Sequence, residues 1–221
     1  MGTITRSFAN NITTSGVLLP ASLNNNSIAN VTSYNAAIAT GNMVLLSTQT
    51  ASNSASISFT TGINSTYKEY QFMFVNIAPR TDSVHLEFNL STDSGSNYNV
   101  TKTTTMFFAY QREDGSVTSL AYDASRDLAQ STSYQSLSTA DLLGNASDEN
   151  LAGTLTLFNP ASTTYVKHFT SQFIFQTQAE PAFCVTSYIA GYGNTTSAIN
   201  AITFRMTSGN MDGTILMYGI K

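Results

Sequence analysis

The sequence predicts an all-β protein, a two-sheet antiparallel β-sandwich of jelly-roll-like type preceded by an extended N-terminal arm. Three observations carry that expectation. From Met43 onward apolar residues recur with a period of two, the mark of strands with one buried face. Turn signatures built from Gly, Pro, Asn and Asp break the alternation at short spacing. No stretch carries a capped apolar stripe with helical period.

Residues 1 to 42 form the arm. Six Asn fall between Asn24 and Asn42, and no alternation is sustained there. Apolar anchors remain at Val17-Leu18-Leu19 and at Ile28, Val31, Tyr34 and Ile38. A purely solvated tail has no need of them, so a docked arm is favoured over a disordered one. The sandwich spans residues 43 to 221. Ile57 and Phe59 alternate with serines, and Tyr70, Phe72 and Phe74 alternate with Gln71, Met73 and Val75. Val84, Leu86, Phe88 and Leu90 make the cleanest strand, with His85, Glu87 and Asn89 on its other side. Further strands are expected over 99–110, 117–122, 153–158, 164–175, 183–189, 201–207 and 214–218, about ten in all. Turns are expected at Pro79, Asp93-Ser94-Gly95, Glu113-Asp114-Gly115, Asn159-Pro160, Gly191 to Asn194 and Asn210 to Gly213. No fixed repeat points to a propeller or β-helix.

Composition removes several functions. Only 9 Lys and Arg and 13 Asp and Glu occur in 221 residues, while 28 Ser, 32 Thr and 20 Asn carry the polarity. Nine scattered basic residues make a poor phosphate-binding surface, so no nucleic-acid partner is expected. No apolar run approaches a membrane span and the start lacks an apolar leader, so no membrane partner and cytoplasmic synthesis are expected. The single cysteine, Cys184 between Phe183 and Val185, reads as a small buried hydrophobe.

The chemical inventory is thin. His85 and His168 sit in no ligand-spaced motif, and each reads as an ordinary strand histidine, exposed or facing the pleat. Glu113-Asp114 and Asp148-Glu149 read as solvated turns. Glu87 is the one acid inside a strand that could face a cleft in a sugar hydrolase, which needs a second carboxylate nearby. No catalytic, metal or cofactor-binding residue is assigned. Ser91-Thr92-Asp93-Ser94-Gly95-Ser96-Asn97-Tyr98 fits an Asp-box hairpin, whose content is structural: Asp93 accepts turn amides and Gly95 takes a positive φ. A calcium site on Asp93, Asn97 and Asn99 is a weak alternative. Eight N-x-S/T sequons carry little weight in a chain this rich in Asn, Ser and Thr. Phe reads mostly as core. Tyr67, Tyr98, Tyr122, Tyr134 and Tyr192 lie near turns and suit an interface or ligand.

Several segments together resemble a β-rich virion domain of tailed bacteriophages, especially those of aquatic bacteria including cyanobacteria. They are 45–52, 58–67, 90–98, Leu157-Phe158-Asn159-Pro160 and the ending Ser208-Gly209-Asn210-Met211-Asp212-Gly213-Thr214-Ile215-Leu216-Met217-Tyr218-Gly219-Ile220-Lys221. The resemblance covers about residues 43 to 221 and carries over no catalytic residue. It implies a non-enzymatic structural protein, made in the host cytoplasm and placed on the virion surface. A capsid decoration (cement) protein docked through its arm is the first expectation. A tail-fibre or receptor-binding protein whose sandwich loops bind host glycan is the alternative, and a glycan-cleaving enzyme using Glu87 ranks third. The implied partners are the major capsid protein or tail proteins, together with further copies of the chain as homo-oligomers, trimers among them.

Overall fold

The computed structural model describes residues 42–139 and 142–221. The arm expected over 1 to 42 lies outside the described residues except for Asn42. Twelve strands follow in order: β1 (Met43–Ser54), β2 (Ser56–Phe59), β3 (Glu69–Pro79), β4 (Leu86–Ser91), β5 (Lys102–Arg112), β6 (Thr118–Tyr122), β7 (Gln135–Ser136), β8 (Leu151–Phe158), β9 (Lys167–Gln176), β10 (Phe183–Gly193), β11 (Ala201–Met206) and β12 (Met211–Ile220). Among the described residues the only helical element is a 3₁₀ turn, Ala124–Arg126.

The strands form two antiparallel sheets packed face to face, a β-sandwich. The larger runs β1-β12-β3-β8-β9-β10-β5-β6 and the smaller β2-β11-β4-β7. Beneath that order lies a nested pairing, β1 with β12, β2 with β11, β3 with β8 and β4 with β7. This is the wrapped antiparallel ribbon of a jelly roll. Two insertions elaborate it. β5-β6 follows β4 in the chain and β9-β10 follows β8, and all four strands extend the larger sheet.

Alternation decides which side chains meet between the sheets. In β9, Phe169, Ser171, Phe173 and Phe175 are buried while His168, Thr170, Gln172 and Ile174 are exposed. In β3, Tyr70, Phe72 and Phe74 point inward. Phe204 of β11 crosses the interior to meet them, with ring centroids 4.9 Å from Phe74 and 5.6 Å from Phe72.

Several expectations are corrected. β1 is a twelve-residue strand that the alternation rule did not single out, because an edge strand need bury no continuous face. Gly191 to Gly193 continue β10 and do not turn. A Cβ at Gly191 would lie 2.6 Å from the Thr103 carbonyl oxygen, so the glycine there permits close strand approach. Met211 to Gly213 open β12, with Gly213 (φ +122°) at a register shift beside β3. Cys184 is exposed. Its apolar neighbours are what misled: in a strand the flanking residues face the opposite side, and Val185 is the buried one. His85 is 7% exposed and lies just before β4, so it is neither an exposed nor a strand residue.

Candidate functional site

The Asp-box hairpin joins β4 to β5 and is a self-contained clasp. Ser91 Oγ donates to Asp93 Oδ1 at 2.6 Å and accepts the Gly95 N–H at 3.0 Å. Asp93 also takes the Asn97 N–H at 2.9 Å and Asn97 Nδ2 at 2.7 Å. These donors, Ser91 first and Asn97 next, hold its carboxyl down at about 2. Gly95 sits at φ +88°, and a Cβ there would fall 2.7 Å from the Tyr98 hydroxyl. Asn200, in the loop before β11, locks the turn by accepting the Ser94 N–H at 2.8 Å. Both carboxylate oxygens of Asp93 are thus engaged by the turn. Among the described residues no three His, Cys, Asp or Glu side chains gather as a metal site.

His85 stands between Ser138 and Arg126. Its Nδ1 lies 3.2 Å from Ser138 Oγ and its Nε2 lies 3.0 Å from Arg126 Nη2. A guanidinium only donates, so Nε2 must accept and Nδ1 carries the proton. The ring therefore donates to Ser138, the reverse of what activation of a serine nucleophile requires. Burial, then the adjacent Arg126 charge, pushes the imidazole down to about 4 and keeps it neutral. Glu87 accepts from Arg205 Nε at 2.7 Å across β4 and β11, and the same guanidinium lies 3.7 Å over the Tyr134 ring. The other candidates are local: Asp114 caps its own turn through Ser116, and Glu149 accepts the Ala146 N–H. His168 is exposed on β9, its ring 6.1 Å from that of Tyr192.

Of the turn tyrosines, Tyr67 packs edge-on against Tyr70 at 5.9 Å and Tyr122 is exposed. An open cleft of about 610 Å³ runs along Asn76, Pro79, Arg80, Asn145 and Asp212. Arg80 and Asp212 close on each other there at 2.7 and 3.0 Å and neutralise its charge.

Two lysines were not foreseen as interior groups. Lys102 and Lys167 are fully buried and flank Gly193 in register, across β5, β10 and β9. Lys102 Nζ reaches Asn89 Oδ1 at 2.5 Å and the Val100 carbonyl at 2.8 Å, while Lys167 Nζ reaches the carbonyls of Tyr165 and Thr195 at 2.6 and 3.2 Å. A signal was present in the sequence: Lys167 shares its parity with the buried Phe169 and Phe173. Burial pushes Lys102 down to about 7 and lowers Lys167 as well. In the unfolded chain a lysine titrates near 10.4. Between these values the unfolded chain binds a proton that folded Lys102 has released, so stability rises with pH from about 7 to 10, by at most about 1.4 kcal/mol per pH unit. Urea unfolding at pH 7 and pH 9 is expected to show a higher midpoint at pH 9, and Lys102→Met is expected to lose most of that rise.

The most distinctive surface is the outer face of the larger sheet. Among the described residues, eight of the ten large hydrophobic side chains that are exposed lie on it. Met43, Leu45, Val75 and Phe158 project from β1, β3 and β8. Phe107, Leu120, Tyr122 and Ile174 project from β5, β6 and β9. Phe107 stacks on Tyr188 at 4.9 Å, and Gln172 donates to the Tyr188 hydroxyl at 3.1 Å. Threonines fill much of the rest, with Thr105, Thr170 and Thr156 on the same side. Charge is nearly absent. Lys102 and Lys167 point inward and Asp212 is paired with Arg80 at the strand end, so Glu69 is the one carboxylate projecting from the strands of the face, while Glu113, Asp127 and Asp148 adjoin it at the rim. Comparisons with protein-family models, with curated proteins and with solved structures return no match to this chain.

Proposed function

We propose that this chain is a non-enzymatic structural protein of a bacteriophage virion, a capsid decoration protein that docks on the shell through residues 1 to 42. The observation that carries the reading is the outer face of the eight-stranded sheet, where apolar and hydroxyl side chains replace charge. Such a face suits a protein whose work is contact with other protein surfaces. The chemistry of the interior agrees: the Ser138 and His85 pair holds its proton on the wrong nitrogen for nucleophilic catalysis, and Glu87 is neutralised by Arg205. A jelly roll without disulfides folds in a cytoplasm, where a virion protein is made. The resemblance of residues 43 to 221 to virion domains of tailed phages supplies the setting. Quantitative mass spectrometry of the purified virion tests it through copy number. Hundreds of copies per particle are expected of a decoration protein; a few to some tens overturn that role in favour of a fibre.

A further inference from the structure

We propose that the outer face of the larger sheet is a self-association surface on which two copies of this chain pack face to face about a two-fold axis. The inference rests on the face alone and goes beyond the virion reading.

Edges and face differ sharply in what they offer. The β1 edge is broken by irregularities between Leu45 and Ser47 and between Ala51 and Ser54, with Asn53 at φ +55°. The β6 edge is five residues long, and the smaller sheet ends on strands of four and two residues. Short or bulged edges resist strand addition. The face, by contrast, is continuous over eight strands. At about 4.8 Å between strands and about 3.4 Å per residue along them, it measures on the order of 1,300 Å². A stable interface buries about 800 Å² on each partner. One face supplies that area without help from loops.

Its chemistry favours a second copy as the occupant. A partner recognised by charge needs opposing charge, and the strands of this face carry a single carboxylate, Glu69, with Glu113, Asp127 and Asp148 around its rim. The chain is net negative by 4, so copies repel each other wherever their acids meet. Within the face only Glu69 could meet its copy; the other acids stand at the rim, where solvent screens them. The polar groups between the apolar ends are threonine hydroxyls and glutamine amides, each both donor and acceptor, so a copy turned about a two-fold axis presents matching partners. Ile174, 51% exposed, lies on β9, the fifth strand of the eight, and Leu120, 74% exposed, on the far edge strand; the two share a cross-strand row through Ala109 and Thr186.

Sedimentation velocity on the purified full chain tests the pairing. The expected particle has twice the 23.7 kDa of one chain. Ile174→Asp places a new carboxylate on the face beside Asp148 and is expected to weaken pairing on the order of 100-fold. Ser56→Asp, exposed on the smaller sheet, is expected to leave it unchanged. If Ile174→Asp fails to fold, Leu120→Asp gives the same readout from a more exposed position. A wild-type monomer, a particle of three copies, or a dimer indifferent to both substitutions overturns the proposal.

Discussion

Phe204→Ala is expected to destabilise the sandwich by about 3 to 5 kcal/mol, the range for truncating a fully buried phenylalanine. Phe204 has no exposed surface, and its ring stands 4.9 Å from Phe74, 5.6 Å from Phe72, 6.3 Å from Phe88 and 6.4 Å from Phe59. Phe74 and Phe72 belong to the larger sheet, Phe88 and Phe59 to the smaller, so one ring holds both layers together. Three of those contacts approach edge-to-face or tilted geometry above 55°, which adds to simple burial. For a chain of this length the loss corresponds to a drop in melting temperature of roughly 6 to 20 °C. Phe204→Leu refills part of the space and is expected to cost about 1 to 2 kcal/mol. Equilibrium urea unfolding measures both. A loss below about 1 kcal/mol for the alanine variant contradicts this account of the core.

Asn89→Ala is expected to cost a similar amount for a different reason. The Asn89 amide is buried and makes four hydrogen bonds. Nδ2 donates to the carbonyls of Tyr98 at 2.7 Å and Thr132 at 3.0 Å, while Oδ1 accepts the Leu90 N–H at 2.9 Å and Lys102 Nζ at 2.5 Å. Truncation strips a partner from two carbonyls, the Leu90 N–H and the Lys102 amine at once. Each stranded buried group costs about 1 to 3 kcal/mol, so a total near 3 to 5 kcal/mol is expected. The Asp-box hairpin is pinned through Tyr98, so its amides should also exchange faster with solvent in the variant. Hydrogen exchange resolved by segment reads this directly; unchanged protection over 91–101 contradicts the link.

Much of the fold was legible because alternation is a local signal. β3 and β9 can be read from residues two apart, and the Asp-box turn from eight consecutive residues. What escaped depended on distance in the chain. His85 is buried by Ser138 and Arg126, 53 and 41 residues away, and nothing adjacent announces them. Asn89 sits in a sequon, yet its amide is buried under the Tyr98 and Thr132 segments and offers no attachment point for a glycan. Cys184 was misplaced because apolar neighbours were read as burial, although strand geometry sends neighbours to opposite faces. The outer face was partly visible. Serines were expected to alternate with buried Ile57 and Phe59, but only the sheet order gathers Leu45, Phe107, Leu120 and Ile174 onto one surface. Strand order is set by non-local pairing, which composition does not encode.

Co-sedimentation with expanded capsid shells tests the central claim, docking through the arm, most directly. The full chain and a variant lacking residues 1 to 42 are mixed with shells stripped of the protein, after matched thermal unfolding shows that both sandwiches are folded. The full chain is expected to pellet with the shells at hundreds of copies each, and the truncated variant to stay in the supernatant. Equal binding by the two, or binding by neither, contradicts the account.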